Sequence, residues 1–189
     1  MTNQPPDESV SLAALISRAE RAGRGAPPVE RWNPDFCGDI DMVIKADGTW
    51  LYQGTPIRRE ALKRLFSSVL RKDEDGRTYL VTPVERLGIT VEDAPFVAVE
   101  MSREDAGTGP VLTFRTDVGD VVAAGPEHPV RFADAEDGGF RPYLLVRGRL
   151  EAALTRALAI DLADLIEEDA AGLFLVSNGA RFDVPQDAA

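Results

Sequence analysis

"ADGTWLYQGTPIRRE", residues 46–60, decides how this chain is read. Asp47-Gly48 is a hairpin signal, because glycine accepts the positive φ of a tight turn. Before it, Ile40, Met42 and Ile44 alternate with Asp39, Asp41, Val43 and Lys45, the period-2 pattern of a strand with one buried face. After it, Trp50-Leu51-Tyr52 begins the return strand. Thr55 and Pro56 then suit the N-cap and first position of a helix. A threonine oxygen accepts from a free backbone N–H, and proline lacks the N–H that would go unpaired. The glutamate of a capping box is absent, since Arg58 stands in its place. Leu62, Leu65, Phe66, Val69 and Leu70 give the helix its apolar stripe. Turns and caps explain the stretch, leaving Trp50, Tyr52 and the arginines as candidates for something more.

Toward the N-terminus, Leu12, Leu15, Ile16 and Ala19 recur at helical spacing, with Ser9 or Ser11 as cap and Gly23 as stop. Residues 1–8 read as a polar tail, and "GRGAPPVERWNPD" as a glycine- and proline-rich loop. Toward the C-terminus, "DEDG" ends the helix and "TYLVT" is a strand stopping at Pro83. Beyond Glu85 the chain becomes strand-rich: "LGITVEDAPFVAVEMS", "VLTFRTD", "DVVAAG" and "HPVRF" are separated by turns and by the acidic loops "REDAGTG" and "ADAEDGG". A strand at "YLLV" leads to a second, long helix with the stripe Leu150, Leu154, Ala157, Leu158, Leu162 and Leu165, and "LFLVS" is a last strand. The expected class is α+β. Its domains are residues 1–85 (helix, hairpin, helix, strand) and residues 86–189, strand-rich with one long helix.

The two helix regions look like copies. "WLYQGTPIRREALKRLF" lies over "YLLVRGRLEAALTRALA" at an offset of 93, with Trp50 on Tyr143, Leu51 on Leu144 and Ile57 on Leu150. "TYLVTP" lies over "LFLVSN" at 95, so the second copy carries two extra residues. Each copy reads strand, helix, strand. Two related halves create an interface, and clefts between domains are favoured ligand sites.

Composition excludes several classes. The net charge of −11 and pI of about 4.6 oppose extended nucleic-acid binding and anionic membrane surfaces, though a local arginine cluster can still hold one phosphate. The single cysteine, Cys37, cannot form an intrachain disulfide. The N-terminus lacks the basic start of a signal peptide, and no run reaches the roughly 18 apolar residues of a membrane span. A cytoplasmic location is expected.

"CGDIDMVIKADGTWLYQGTPIRREALKRLFSSVL", "DGRTYLVTPVERLGITVEDAPFVAVEM", "TDVGDVVAAGPEHPVRF" and "RPYLLVRGRLEAALTRA" together resemble a bacterial family, domain of unknown function 1285. The resemblance covers about residues 31–165. It implies a duplicated α+β core whose C-terminal half is superficially pleckstrin-homology-like. It also implies a nucleotide-like ligand at the domain interface and a role in signal transduction. No catalytic activity comes with it. The strand "LFLVS", after the second helix, departs from the pleckstrin-homology order, and architecture does not fix function.

Candidate residues carry two readings each. Asp39 and Asp41, two apart on a strand, point to one face; they can bind a divalent cation or supply a general base, or form a solvated strand face. Cys37 and His128 are a nucleophile and base only if they meet, and otherwise a buried thiol and a loop histidine. Structural zinc lacks ligands. Arg58, Arg59 and Arg64, with Arg147 and Arg149 at the matching junction of the second copy, present guanidinium forks for phosphate beside a helix N-terminus, or pair with surface carboxylates. Trp32, Trp50 and Tyr52 can stack on a base or pack the core. Thr82 and Glu85 can contact a ribose or order Arg58. "GRGAPP" and "GTGP" match no phosphate-binding loop or dinucleotide fingerprint. No cofactor is implied. The leading expectation is a non-catalytic, ligand-sensing protein for a nucleotide-like molecule. A protein-interaction module without a small ligand is the alternative, and an enzyme using Asp39 and Asp41 with a metal is third.

Overall fold

The computed structural model describes residues 11–21, 27–107, 109–135 and 139–185. The expected tail over 1–8, the Ser9 cap and the Gly23 stop lie outside these residues, as do Thr108 and residues 136–138 of two expected loops. Contacts divide the chain into two units, Met1–Val43 with Thr49–Thr90, and Ile44–Gly48 with Val91–Ala189.

In the first unit, α1 (Leu12–Arg21) starts after Ser11, whose Oγ accepts from the Ala14 amide at 3.2 Å. Leu15 and Ala19 are its buried residues. A 3₁₀ turn at Val29–Arg31 precedes β1 (Phe36–Ile44). The Asp47-Gly48 turn, closed by the Gly48 amide on the Lys45 carbonyl at 3.0 Å, leads to β2 (Trp50–Tyr52). The chain then turns again rather than entering a helix. Gln53 and Gly54 have φ of 48° and 72°, the pair of positive values that a two-residue hairpin turn needs. Tyr52 faces Thr55 and Leu51 faces Pro56, so Thr55–Pro56 is the edge strand β3. Thr55 is therefore not a helix cap, and Pro56 does not open the helix; proline suits an edge, where its missing N–H breaks no ladder bond. The helix α2 spans Glu60–Ser68, with Arg59 at its N-cap. Val69 is its C-cap and Leu70 opens β4 (Leu70–Lys72). Both are buried, so burial from two elements imitated one helical stripe. With β5 (Thr78–Val81) and β6 (Arg86–Val91), the sheet order is β3-β2-β1-β6-β5-β4. β6 groups with this unit through its antiparallel ladder to β5, from Thr78↔Ile89 to Val81↔Arg86. Met42, Trp50, Phe66 and Leu70 are fully buried here, each side chain stabilising by about 1.5–3 kcal/mol.

The second unit contains β7 (Phe96–Ala106), β8 (Gly109–Thr116), β9 (Val121–Ala123), β10 (Val130–Asp134), β11 (Phe140–Arg147), β12 (Leu150–Leu154), α3 (Arg156–Ala163), β13 (Glu167–Asp169), β14 (Gly172–Ser177) and β15 (Ala180–Asp183). One sheet runs β10-β11-β12-β7-β8-β9 and another β13-β14-β15. Phe96, Phe114, Leu144, Leu162 and Leu175 fill its core. Ser177, fully buried, accepts from the Leu112 amide at 2.9 Å and donates to the Ala124 carbonyl at 2.8 Å, tying β14 to the β8–β9 region. The tip of the first hairpin groups with this unit: Glu92 accepts from Lys45 Nζ at 2.7 Å and from the Ala46 amide at 3.1 Å. The expected long helix is an eight-residue one. Leu150 and Leu154 belong to β12, because Arg147 pairs with Leu150 across the two-residue turn Gly148-Arg149. Residues four apart share a face in a strand as well as in a helix, which is why the stripe misled. β12 runs parallel to β7, and a three-stranded meander follows α3; both depart from the order of a pleckstrin-homology barrel. The class is α+β, in two strand-rich units with few helices.

The duplication reaches further than strand–helix–strand. The order β1-β2-β3-α2-β4-β5-β6 recurs as β10-β11-β12-α3-β13-β14-β15. β15 lies against β10 as β6 lies beside β1. The offset is 95 across the hairpin turn and the meander, where Tyr52↔Thr55 matches Arg147↔Leu150 and Val81↔Arg86 matches Val176↔Arg181, and 96 at the helix start, where Glu60 matches Arg156. The offset of 93 expected for the first segment is therefore slipped by two. A slip of two leaves every side chain of a strand on the same face, so the apolar pattern could not reveal it.

Candidate functional site

Arg58 and Arg59 follow directly from how the second hairpin ends. Ile57 is buried and its amide bonds the Trp50 carbonyl at 2.8 Å, which closes the hairpin. The next two residues emerge exposed before α2 begins. Arg59 is extended (φ −81°, ψ 109°) and gives the helix no side-chain cap, while its carbonyl accepts from the Leu62 and Lys63 amides. Arg64, one turn into α2, is exposed as well. Among the described residues, the side chains of Arg58, Arg59 and Arg64 enter no ion pair. Most other described arginines are matched with carboxylates, as Arg115 is with Glu100 at 2.6 Å and Arg131 with Glu151 at 2.9 Å. Lys63 sits 3.7 Å from Glu60, a weak surface pair. In the second unit α3 is capped differently: Thr155 Oγ1 accepts from the Leu158 amide.

The remaining candidates have other surroundings. Asp39 and Asp41 are both exposed on β1; Asp39 pairs with Arg77. Asp41 stands near Tyr52, whose hydroxyl pKa is raised by burial and then by that carboxylate. Trp50 and Tyr52 are 1% and 8% exposed, so their rings pack the core. Thr82 and Glu85 close the β5–β6 turn, the Thr82 amide bonding the Glu85 carbonyl at 3.0 Å. The Glu85 carboxylate holds Arg18 at 2.5 Å rather than Arg58. Arg147, in the second unit, pairs with Asp120 at 2.7 Å and stacks over Phe96 at 4.9 Å. Cys37 is exposed and its thiol points to the Asp35 carbonyl at 3.4 Å, whereas His128 Nδ1 lies 3.1 Å from the Leu145 carbonyl. Among the described residues, no group of three or more His, Cys, Asp or Glu side chains could hold a metal ion.

One constellation escaped the reading of single residues. Asp73 accepts from buried Arg71 at 2.5 Å and from Arg86 at 2.8 Å. Burial pushes its carboxyl up, but the two guanidinium hydrogen bonds outweigh that and hold it below its ordinary value. Arg71 also donates to the carbonyls of Val29 and Trp32, at 2.9 and 2.5 Å, fixing the segment that leads into β1. Arg86 and Arg77 lie over the Tyr79 ring at 4.9 and 5.4 Å. Tyr79 donates to Asp75 at 2.5 Å, which depresses the Asp75 carboxyl and raises the tyrosine. The second unit repeats the motif. Arg181 stacks on Phe174 at 3.8 Å and pairs with Asp169 at 2.5 Å. That hydrogen bond lowers the Asp169 carboxyl to about 2. Tyr79 and Arg86 correspond to Phe174 and Arg181 at the offset of 95, so the repeat carried the signal once its register was right.

Two family profiles match the chain: the N-terminal domain of DUF1285, a domain of unknown function, over residues 27–94, and the C-terminal domain of the same family over residues 95–184. A crystal structure of a DUF1285 family protein from Silicibacter pomeroyi DSS-3 aligns with a TM-score of 0.84 at 47% identity, covering 92% of this chain and 95% of that one. A second, from Shewanella baltica OS155, aligns at 0.52 and 28% identity, covering 65% of this chain and 90% of that one. No curated protein matches. No helix among the described residues is long and apolar enough to cross a membrane.

Proposed function

The chain belongs to the DUF1285 family, and on that premise we propose that it binds a small phosphorylated, nucleotide-like ligand and serves cytoplasmic signalling rather than catalysis. One observation carries the reading. In a chain of net charge −11, Arg58, Arg59 and Arg64 stand exposed without a carboxylate partner among the described residues. Carboxylates are plentiful, so a patch left uncompensated is disposed toward an outside anion. Guanidinium forks suit phosphate oxygens, and the uncapped start of α2 adds partial positive charge. Because Trp50 and Tyr52 are buried, recognition rests on phosphate more than on base stacking.

Thermal shift and calorimetry against nucleotide mono-, di- and triphosphates and cyclic dinucleotides, with and without Mg²⁺, test the proposal. At a hundredfold excess over Kd a ligand stabilises by about 2.7 kcal/mol. Affinity should rise with phosphate number more than it changes with the base. Arg58→Ala with Arg59→Ala should lose at least tenfold in affinity while stability stays within about 0.5 kcal/mol, as for surface changes. Wild-type affinity in the double variant would sink the assignment.

A flat panel would favour the second reading, a protein-docking module. Phe36 and Val84 support it: they are 45% and 75% exposed. The Arg86 amide bonds the Asp35 carbonyl at 3.1 Å, which brings the start of β1 next to the β5–β6 turn that carries Val84.

A further inference from the structure

We infer that Lys63 is a further cation of the anion site at the start of α2 and that Glu60 competes with the bound anion for it, an inference that rests on the anion-binding reading. Glu60 is the first residue of α2, next to Arg59, and Lys63 follows one turn later. A helical side chain leans toward the N-terminus of its helix. Lys63 does so: its Nζ lies 3.7 Å from Glu60 Oε1. Its charge therefore stands over the first turn, beside the point where Arg58 and Arg59 emerge exposed, rather than farther along the helix.

Two features single Lys63 out. Its side chain is only 14% exposed, whereas that of Glu60 is 61% exposed. A lysine whose stem is packed delivers its ammonium to one place, so less freedom is lost when an anion takes it. The ammonium is also poorly satisfied. Lys45 gives the contrast, donating to Glu92 at 2.7 Å. At 3.7 Å Lys63 is beyond hydrogen-bond distance of Glu60, and among the described residues this is its one ion pair. A mostly solvated carboxylate at that distance contributes little. A phosphate oxygen can come closer and accept a charge-assisted hydrogen bond. Glu60 thus acts on an incoming phosphate in two ways: it draws Lys63 to itself, and it repels the anion. The same negative charge favours the start of the helix, so its removal should trade stability for affinity.

Calorimetry on the full-length chain at low ionic strength, with tripolyphosphate as the probe, tests this. Lys63→Met keeps the packed stem and removes the charge; it should weaken binding about tenfold, the scale of one hydrogen bond to a charged group. Glu60→Gln should strengthen binding about threefold and lower the melting point slightly. The two effects should be coupled. In the Lys63→Met background most of the Glu60→Gln gain should vanish, because no ammonium is left to release. Unchanged affinity in Glu60→Gln, whose exposed side chain leaves the fold intact, overturns the inference. So does wild-type affinity in Lys63→Met, or a Glu60→Gln gain that persists in full in its background. In each of these cases, loss of binding in Arg58→Ala with Arg59→Ala leaves the anion-binding reading standing. No binding of tripolyphosphate to the wild-type chain or to Glu60→Gln overturns both.

Discussion

Asp73 joins two guanidiniums, one of them buried, and the cost of removing it depends on that burial. Asp73→Ala strands Arg71, whose side chain is 7% exposed. Breaking a buried pair in this way costs about 3 kcal/mol. Asp39→Ala removes the partner of an exposed arginine, a change worth no more than about 1 kcal/mol. Urea denaturation of both variants checks the contrast, and equal losses would show that burial does not govern these pairs. Gly88 is tied to the same face. A Cβ there would overlap Asp39 Oδ1 and come within 2.7 Å of Arg77 Nη2. Both are ends of exposed side chains and can swing aside, so Gly88→Ala should break the Asp39–Arg77 pair and still fold. At this scale the sequence showed which residues were unusual, but not their partners. Trp50 and Tyr52 looked available for stacking because an aromatic in a short strand reads the same whether its face is in the core or in water. Glu85, expected to contact a ribose or order Arg58, pairs with Arg18, from a helix 67 positions away.

The two helices of the repeat begin differently, and the difference can be measured. Thr155→Ala removes the cap of α3 and should cost about 1 kcal/mol. Arg59 occupies the N-cap of α2 in an extended conformation compatible with a capping aspartate. Arg59→Asp should therefore stabilise the chain by about 1 kcal/mol while it weakens anion binding. If it raises the melting point and leaves ligand affinity intact, the phosphate lies elsewhere. Strands with a clear alternation, such as β1 and β8, were legible, and so was β5, a short run buried throughout and bounded by turn residues. The edge strand β3 was not, since a threonine and proline before a helical stripe satisfy the rules of a helix start. Only the pairing of Tyr52 with Thr55 separates the two readings. β12 was misread for a related reason, because Leu150 and Leu154 fit a strand face and a helix face alike.

For the molecule as a whole, the carboxylates set the response to acid. Asp169 is held at about 2 by its hydrogen bond to Arg181, against 3.8 in its ordinary state. Asp73, Asp75, Glu92 and Glu100 are lowered as well. A lowered folded pKa means that the unfolded chain binds protons first as pH falls. Unfolding then takes up protons, so the stabilisation is complete above about pH 5 and is lost toward about pH 2. Thermal midpoints across that range should fall steadily, and Arg181→Gln should flatten the lower part of the curve. A midpoint independent of pH there would contradict these pairings. By itself, the sequence determined the α+β class, the first hairpin, the acidic character, the existence of a repeat and the family. The first four are carried by local turn chemistry, by period-2 alternation or by composition, which need no distant partner, and the family by its resemblance over about residues 31–165. Only the tertiary structure decided the register of the repeat, the second hairpin, the Arg–aromatic–Asp stacks and the pairing of Arg18 with Glu85. Those depend on which residues far apart in the chain share one face of a sheet, and a two-residue slip or a helix-for-strand exchange leaves the apolar pattern unchanged while altering every such pairing.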